Sequence, residues 1–214
     1  MRLKGGRPPF TYAPTRKHTP CILNAQPSLV RVKDTPWNVL EAEIKRDCNG
    51  NLEGIAANVE VAKLMYDYAR EHGYAAEQVN FGGFPLSIGE KLTYWFNAVL
   101  IKDGQLILAG TDFRRAKGYT KAGLKFAFSV MHEQIRAQNP TDFGNAKLGM
   151  FRFPQEPKED RHIQLDLWGG GELFSYDEII QRSLDTYATW GEVLEERAEE
   201  ARKTGTDDGS WWKG

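Results

Sequence analysis

From Asn51 to His72, apolar residues return every three or four positions: Ile55, Val59, Ala62, Tyr66 and Ala69. That spacing predicts a helix packed along one stripe, with Asn51 capping its first turn and Gly73 ending it. Thr120 to Ala137 repeats the pattern with Leu124, Ala127, Phe128, Met131 and Ile135. A third helix is expected from Ser175, where Ser175 and Glu178 form a capping box. Its stripe runs Ile180, Leu184, Tyr187, Leu194, Ala198 and Ala201, interrupted by Gly191.

Period-two alternation marks the strands. "PSLVRVKD" and "NVLEAEIK" alternate, with a turn at Thr35-Pro36; Leu40, Ala42 and Ile44 form the apolar face of the second. "TYWFNAVLI" and "QLILAGTDFR" flank Lys102-Asp103-Gly104, and Asp-Gly is a favoured two-residue hairpin turn. With that turn, Lys102 opposes Gln105, Asn97 opposes Gly110 and Trp95 opposes Asp112. "AKLGMFRF" and "RHIQLDLW", joined by the polar "PQEPKED", are two more strands. The order strand, strand, helix, hairpin, helix, strand, strand, helix predicts an α+β fold. Its sheet is mixed and mainly antiparallel, with about three helices, the last C-terminal and acidic. The expected organisation is a basic irregular arm over 1–20, an α+β core over 21–174, a C-terminal helix over 175–203 and a flexible tail over 204–214.

Composition narrows the function classes. Of 214 residues, 41% are hydrophobic and 27% charged, which is ordinary globular usage, and the formal net charge is −1. No global field draws such a chain to nucleic acid or to a membrane. No apolar run is long enough to span a bilayer and no signal-peptide core follows Met1, so a cytoplasmic location is expected. Cys21 and Cys48 lie far apart and the four histidines are scattered, so no metal site is expected. Charge is unevenly spread. Arg114, Arg115, Lys117, Lys121, Lys125 and Arg136 face one acid, Glu133, whereas acids dominate from Glu172 to Asp208.

The segment most suggestive of function is Gln164-Leu165-Asp166-Leu167-Trp168, followed by Gly169-Gly170-Gly171. A leucine and a large aromatic supply desolvation energy in a small pocket, and a few polar groups fix register. The pentapeptide resembles the Gln-Leu-Ser/Asp-Leu-Phe motif by which bacterial replication and repair proteins hold the β sliding clamp of DNA polymerase. The resemblance implies that Gln164 hydrogen-bonds at one end of a clamp groove while Leu167 and Trp168 fill its apolar pocket. With its size and its lack of enzymatic motifs, the chain is similar to the SocB-like replication-blocking toxins of bacterial toxin–antitoxin pairs. That similarity implies competition with polymerase for the clamp and an antitoxin partner. The same residues also suit a half-buried strand, with the glycines as a chain reversal. A weaker echo is Gln26-Pro27-Ser28-Leu29-Val30, which lacks the second leucine and the aromatic.

Two other readings belong to different classes. Nucleases of the PD-(D/E)XK type place an acid on one hairpin strand and acid-x-Lys on the next, to hold Mg²⁺ and position water. Asp34 with Glu43 and Lys45 has that order; Asn97 with Asp112 and Arg114 is a poorer version. Under this reading alone Mg²⁺ is required; otherwise no cofactor is expected. The third reading is a non-enzymatic DNA-binding module that uses Arg114, Arg115, Lys117, Lys121 and Lys125 on phosphates. Its bland counterpart is the solvated face of an amphipathic helix. Trp211-Trp212 near the C-terminus is either a docking element or an accidental pair, and the sequence does not decide between them. No catalytic triad, P-loop or dinucleotide fingerprint is present, so clamp binding is the favoured function.

Overall fold

Asp103 and Gly104 have φ of 50° and 76°, the left-handed pair that a tight hairpin turn demands. They join β5 (Trp95–Lys102) to β6 (Gln105–Asp112) with Lys102 opposite Gln105, as the alternation predicts. The computed structural model describes residues 11–26, 33–87, 90–116, 118–156 and 158–204. The expected strand "PSLVRVKD" falls largely outside them, as do the first half of the basic arm, the echo motif beyond Gln26, Lys117 and the tail with Trp211-Trp212.

The central sheet has the order β1 (Ala25–Gln26), β2 (Ala75–Gln78), β5, β6, β7 (Lys147–Arg152), β8 (Gln164–Leu167). β1–β2 and β6–β7 are parallel; the other neighbours are antiparallel. A separate hairpin pairs β3 (Phe84–Ser87) with β4 (Glu90–Leu92). The α+β class with a mixed, mainly antiparallel sheet is therefore as expected. The helices number six among the described residues, not about three.

Both faces of the sheet are covered, and period two sorts the side chains. Ala98, Leu100, Ile107, Ala109 and Phe151 face α1 (Ala13–Ile22), α2 (Trp37–Asp47) and α3 (Leu52–Glu71). Val99, Leu108, Leu148 and Met150 face α4 (Lys121–Met131), the β3–β4 hairpin and the start of α6 (Tyr176–Thr204). A π-helical turn, His132–Arg136, extends α4, and a short α5 (Pro140–Phe143) follows.

Several expectations change. "NVLEAEIK" is the helix α2 and not a strand. Leu40 and Ile44, four apart, are buried while Ala42 is exposed, and Glu41 pairs with Lys45 across one helical turn. The alternation was a short pattern compatible with both periods. Residues 13–20 of the predicted irregular arm belong to α1, which runs on to Ile22. Pro14 sits in the first turn, where no N–H is needed, and Thr15, His18, Thr19 and Ile22 are buried at helical spacing. α3 starts as expected, with Asn51 Oδ1 accepting from the N–H of Gly54 at 2.8 Å, but its buried stripe is rotated to Ala57, Asn58, Val61, Ala62, Met65 and Ala69. In the hairpin, the register shifts between Trp95 and Val99, so Trp95 opposes Gly110 instead of Asp112. A Cβ at Gly110 would lie 1.6 Å from the carbonyl oxygen of Tyr94; only glycine fits this bulge.

The layers are tied at one end by Arg161, whose side chain is fully buried. Its Nε donates to the Phe153 carbonyl at 3.0 Å, and Nη2 donates to the Phe113 carbonyl. Nη1 donates to the Tyr12 hydroxyl at 3.2 Å and to Glu60 at 3.1 Å. One guanidinium thus joins the ends of β6 and β7 to α3 and the start of α1. Arg161→Ala leaves two carbonyls without that donor and is expected to lower the unfolding free energy by about 3 kcal/mol. Arg161→Lys recovers only part, because an ammonium lacks the planar fork. Urea denaturation of the three proteins checks both, and equal midpoints would contradict this role.

Candidate partner-binding edge

β8 is an edge strand. β7 pairs with one side of it, and no described strand pairs with the other. The register sets Leu165 opposite Phe151 and Leu167 opposite Gly149. Leu165 is half-buried against the α1–α3 core, while Leu167 is 42% exposed. Gly149 makes room for both: a Cβ there would lie 3.0 Å from Leu165 and 3.3 Å from Leu167. Gln164, Asp166 and Trp168 project to the opposite face. Gln164 Nε2 donates to Asp166 Oδ1 at 3.2 Å, and Arg152 Nη1 reaches Asp166 Oδ2 at 3.0 Å.

Trp168 closes the strand. Its N–H donates to the Leu148 carbonyl at 2.8 Å, and its half-buried indole stands 5.7 Å from the Phe128 ring. The indole also borders a cleft of about 800 Å³ whose wall includes His132, Arg136, Lys147 and Phe174. Burial, then the neighbouring Arg136 charge, lowers the His132 pKa, and its Nδ1 has no hydrogen-bond partner among the described residues. Gly170 and Gly171 leave the strand with φ of 100° and 101°, backbone that side-chain-bearing residues rarely adopt. The pentapeptide is therefore a real strand with a glycine reversal, and it lies on the surface at a sheet edge.

The nuclease-like candidates are not assembled as expected. Glu43 and Lys45 lie on α2, where residues two apart point to nearly opposite sides of the helix. Asp34 is taken by Arg70, Lys45 by Glu41, and Glu43 lies 3.4 Å from His18. In the second version the shifted register separates Asn97, which is exposed, from Asp112, which is buried. Arg114 clamps Asp112 through Nε and Nη2 at 2.6 and 2.9 Å, and the N–H of Tyr119 donates to it at 2.8 Å. Among the described residues, no group of three His, Cys, Asp or Glu side chains is placed to hold a metal.

The basic candidates are likewise divided. Arg114 serves Asp112, Arg115 contacts Glu60 at 3.1 Å, Lys125 lies over the Phe174 ring, and Lys121 is exposed at the start of α4. Sequence reasoning missed Arg161 and the cleft beside Trp168. Neither has a local signal, because each is made by residues from distant segments. No helix among the described residues is long and apolar enough to cross a membrane.

A family model described as "Sliding clamp-binding bacterial toxin SocB" matches residues 1–200. The chain is 42% identical over 214 residues to the DNA replication inhibitor toxin SocB of Caulobacter vibrioides (strain NA1000 / CB15N), covering 100% of this chain and 89% of that protein. No solved structure matches.

Asp112 gives the site a pH signature. Burial pushes its pKa up, but the hydrogen bonds from Arg114 and from the N–H groups of Tyr119 and Arg114 outweigh it and hold the carboxyl below its ordinary value. A folded pKa below the unfolded one stabilises the fold above the ordinary value of about 3.9, and that support is lost as pH falls through the folded pKa. Urea midpoints measured at stepped pH should therefore drop on acidification through this range, and drop less in Asp112→Asn. Parallel curves for the two proteins would contradict the assignment.

Proposed function

The chain belongs to the SocB family of sliding clamp-binding bacterial toxins, and from that premise we propose that Gln164–Trp168 is its clamp-binding segment. Occupying the clamp groove excludes polymerase and stalls elongation, and an antitoxin partner restrains this activity. The observation that carries the reading is the placement of the pentapeptide on a free sheet edge, with Leu167 exposed and the Trp168 indole half-exposed.

The strand geometry adds a requirement. Leu167 and Trp168 are adjacent and so point to opposite faces of the sheet. One pocket receives both only if the end of β8 leaves β7. The glycines after Trp168 permit that swing, and the strand that must open is four residues long. Binding then follows conformational selection. Each increment of about 1.4 kcal/mol in the cost of opening weakens apparent affinity about tenfold. The Arg152–Asp166 ion pair adds to that cost, since it holds the middle of the pentapeptide to β7.

Gln164→Ala combined with Trp168→Ala should abolish capture of purified β clamp with the circular dichroism spectrum unchanged. A double variant that binds like the parent rejects the assignment, and one that unfolds marks these residues as structural. Arg152→Ala should act in the opposite direction. It frees β8 and tightens clamp binding about threefold, in line with a partly exposed ion pair. Weaker binding by that variant would mean that the clamp receives β8 as an intact strand.

A further inference from the structure

The outer side of β8 carries a row of unpaired main-chain groups. The His162 N–H donates to the Pro154 carbonyl at 3.2 Å and the Trp168 N–H to the Leu148 carbonyl at 2.8 Å, both toward β7. In an antiparallel ladder alternate residues aim their N–H and C=O groups in opposite directions. His162, Gln164, Asp166 and Trp168 therefore face β7, while Ile163, Leu165 and Leu167 aim theirs outward. Among the described residues no hydrogen bond joins those outward groups to another segment. Free edges are ordinarily blunted by lysine, proline or a bulge, and Ile163 to Leu167 has none of these. Leu167, 42% exposed, adds uncovered apolar surface at the end of the row.

The sequence of this edge is its own complement. A two-fold axis through Leu165, perpendicular to the sheet, lays a second copy of β8 antiparallel to the first. Leu165 then faces Leu165 of the second copy, and Ile163 faces Leu167. These are the residues whose main-chain groups point outward, so about six main-chain bonds form. On the other face Gln164 stands opposite Asp166 of the second copy, an amide donor against a carboxylate. Moving the axis to Asp166 sets the two aspartates against each other, which disfavours that register. Moving it to Gln164 calls on Arg161, which is buried, and moving it to Leu167 runs the pairing into Gly169 and Gly170, where the chain turns away. We propose that β8 pairs with β8 of a second copy in the Leu165-centred register, joining two sheets into one. The pairing covers Gln164–Trp168, so the dimer withholds these residues from a clamp groove; that consequence alone rests on the clamp assignment.

Sedimentation velocity of the full chain, without clamp, should show a monomer–dimer equilibrium with a dissociation constant on the order of tens of micromolar, in keeping with a small interface. Gln164→Glu, which sets carboxylates opposite each other, should weaken it about threefold, and Gln164→Lys should tighten it by about the same factor. With Cys21 and Cys48 changed to serine, Gln164→Cys and Asp166→Cys chains should form a disulfide-linked dimer when mixed and oxidised. A pair of this kind brings Cα atoms to about 4.5 Å, within disulfide reach. Each variant should keep the parental circular dichroism spectrum, because Gln164 and Asp166 are not buried. Added β clamp should convert parental dimers into clamp-bound monomers. A parent that stays monomeric overturns the self-pairing and leaves the clamp assignment untouched. So does a dimer indifferent to both Gln164 variants, which places the contact elsewhere. Self-linking of Asp166→Cys alone also overturns it, by selecting the other register. Clamp bound by intact dimers leaves the pairing standing and rejects Gln164–Trp168 as the clamp ligand.

Discussion

A buried guanidinium is expensive unless its donors are met, and Arg161 meets four needs at once: two strand-end carbonyls, a tyrosine hydroxyl and a carboxylate. This requirement fixes where the first helices sit on the sheet. Asn58 reinforces the placement, since its buried amide accepts from the N–H and hydroxyl of Thr15 and donates to the carbonyl of Thr11. Arg161 also stands three residues before β8. The strand therefore has one end tied to the core and the other released into glycine, an asymmetry that suits a segment opening from its C-terminal end.

The sheet explains why that segment is available at all. Its middle strands are buried on both faces, so β5, β6 and β7 are nearly continuous apolar runs. On the face covered by α1–α3, Leu165 of β8 still packs against the core, but Leu167 at the end of the strand meets solvent. On the other face Trp168 finds Phe128 and the cleft, a resting place that leaves the indole only partly buried. A linear motif held this way is ordered without being enclosed. Under the proposed function, the edge gives the motif a route to its partner.

Charge is handled mostly within the molecule. Arg114 and Arg115 each bind an acid and Arg136 donates to the Gly144 carbonyl, so the run of cations in the sequence is not a run of free cations in space. Lys125 and Arg182 both lie over the Phe174 ring, where α4 meets the start of α6. Beyond that contact, from Leu184 to Glu200, no residue of α6 is buried.

Much of this was legible in the chain. The hairpin at Asp103-Gly104, the caps at Asn51 and Ser175, and the strands around 150 and 165 follow from local rules: turn residues need particular φ, caps need a short acceptor, and periods of 2 and 3.6 separate strand from helix. The pentapeptide was legible too, because a linear motif is by nature a local signal. Local rules failed where two periods overlap, as at Leu40-Ala42-Ile44, and where prolines concealed a helix, as at Pro14 and Pro20. They failed entirely for the register shift opposite Gly110, for the partners of Asp34, Glu43 and Lys45, and for Arg161. The sequence by itself determined the central hairpin, the helices α3, α4 and α6, the strands β7 and β8, and which five residues resemble a clamp ligand. Only the tertiary structure decided that those five lie on an open edge, with Leu167 and Trp168 on opposite faces. Exposure and facing depend on neighbours supplied by segments far along the chain, and no local pattern encodes them.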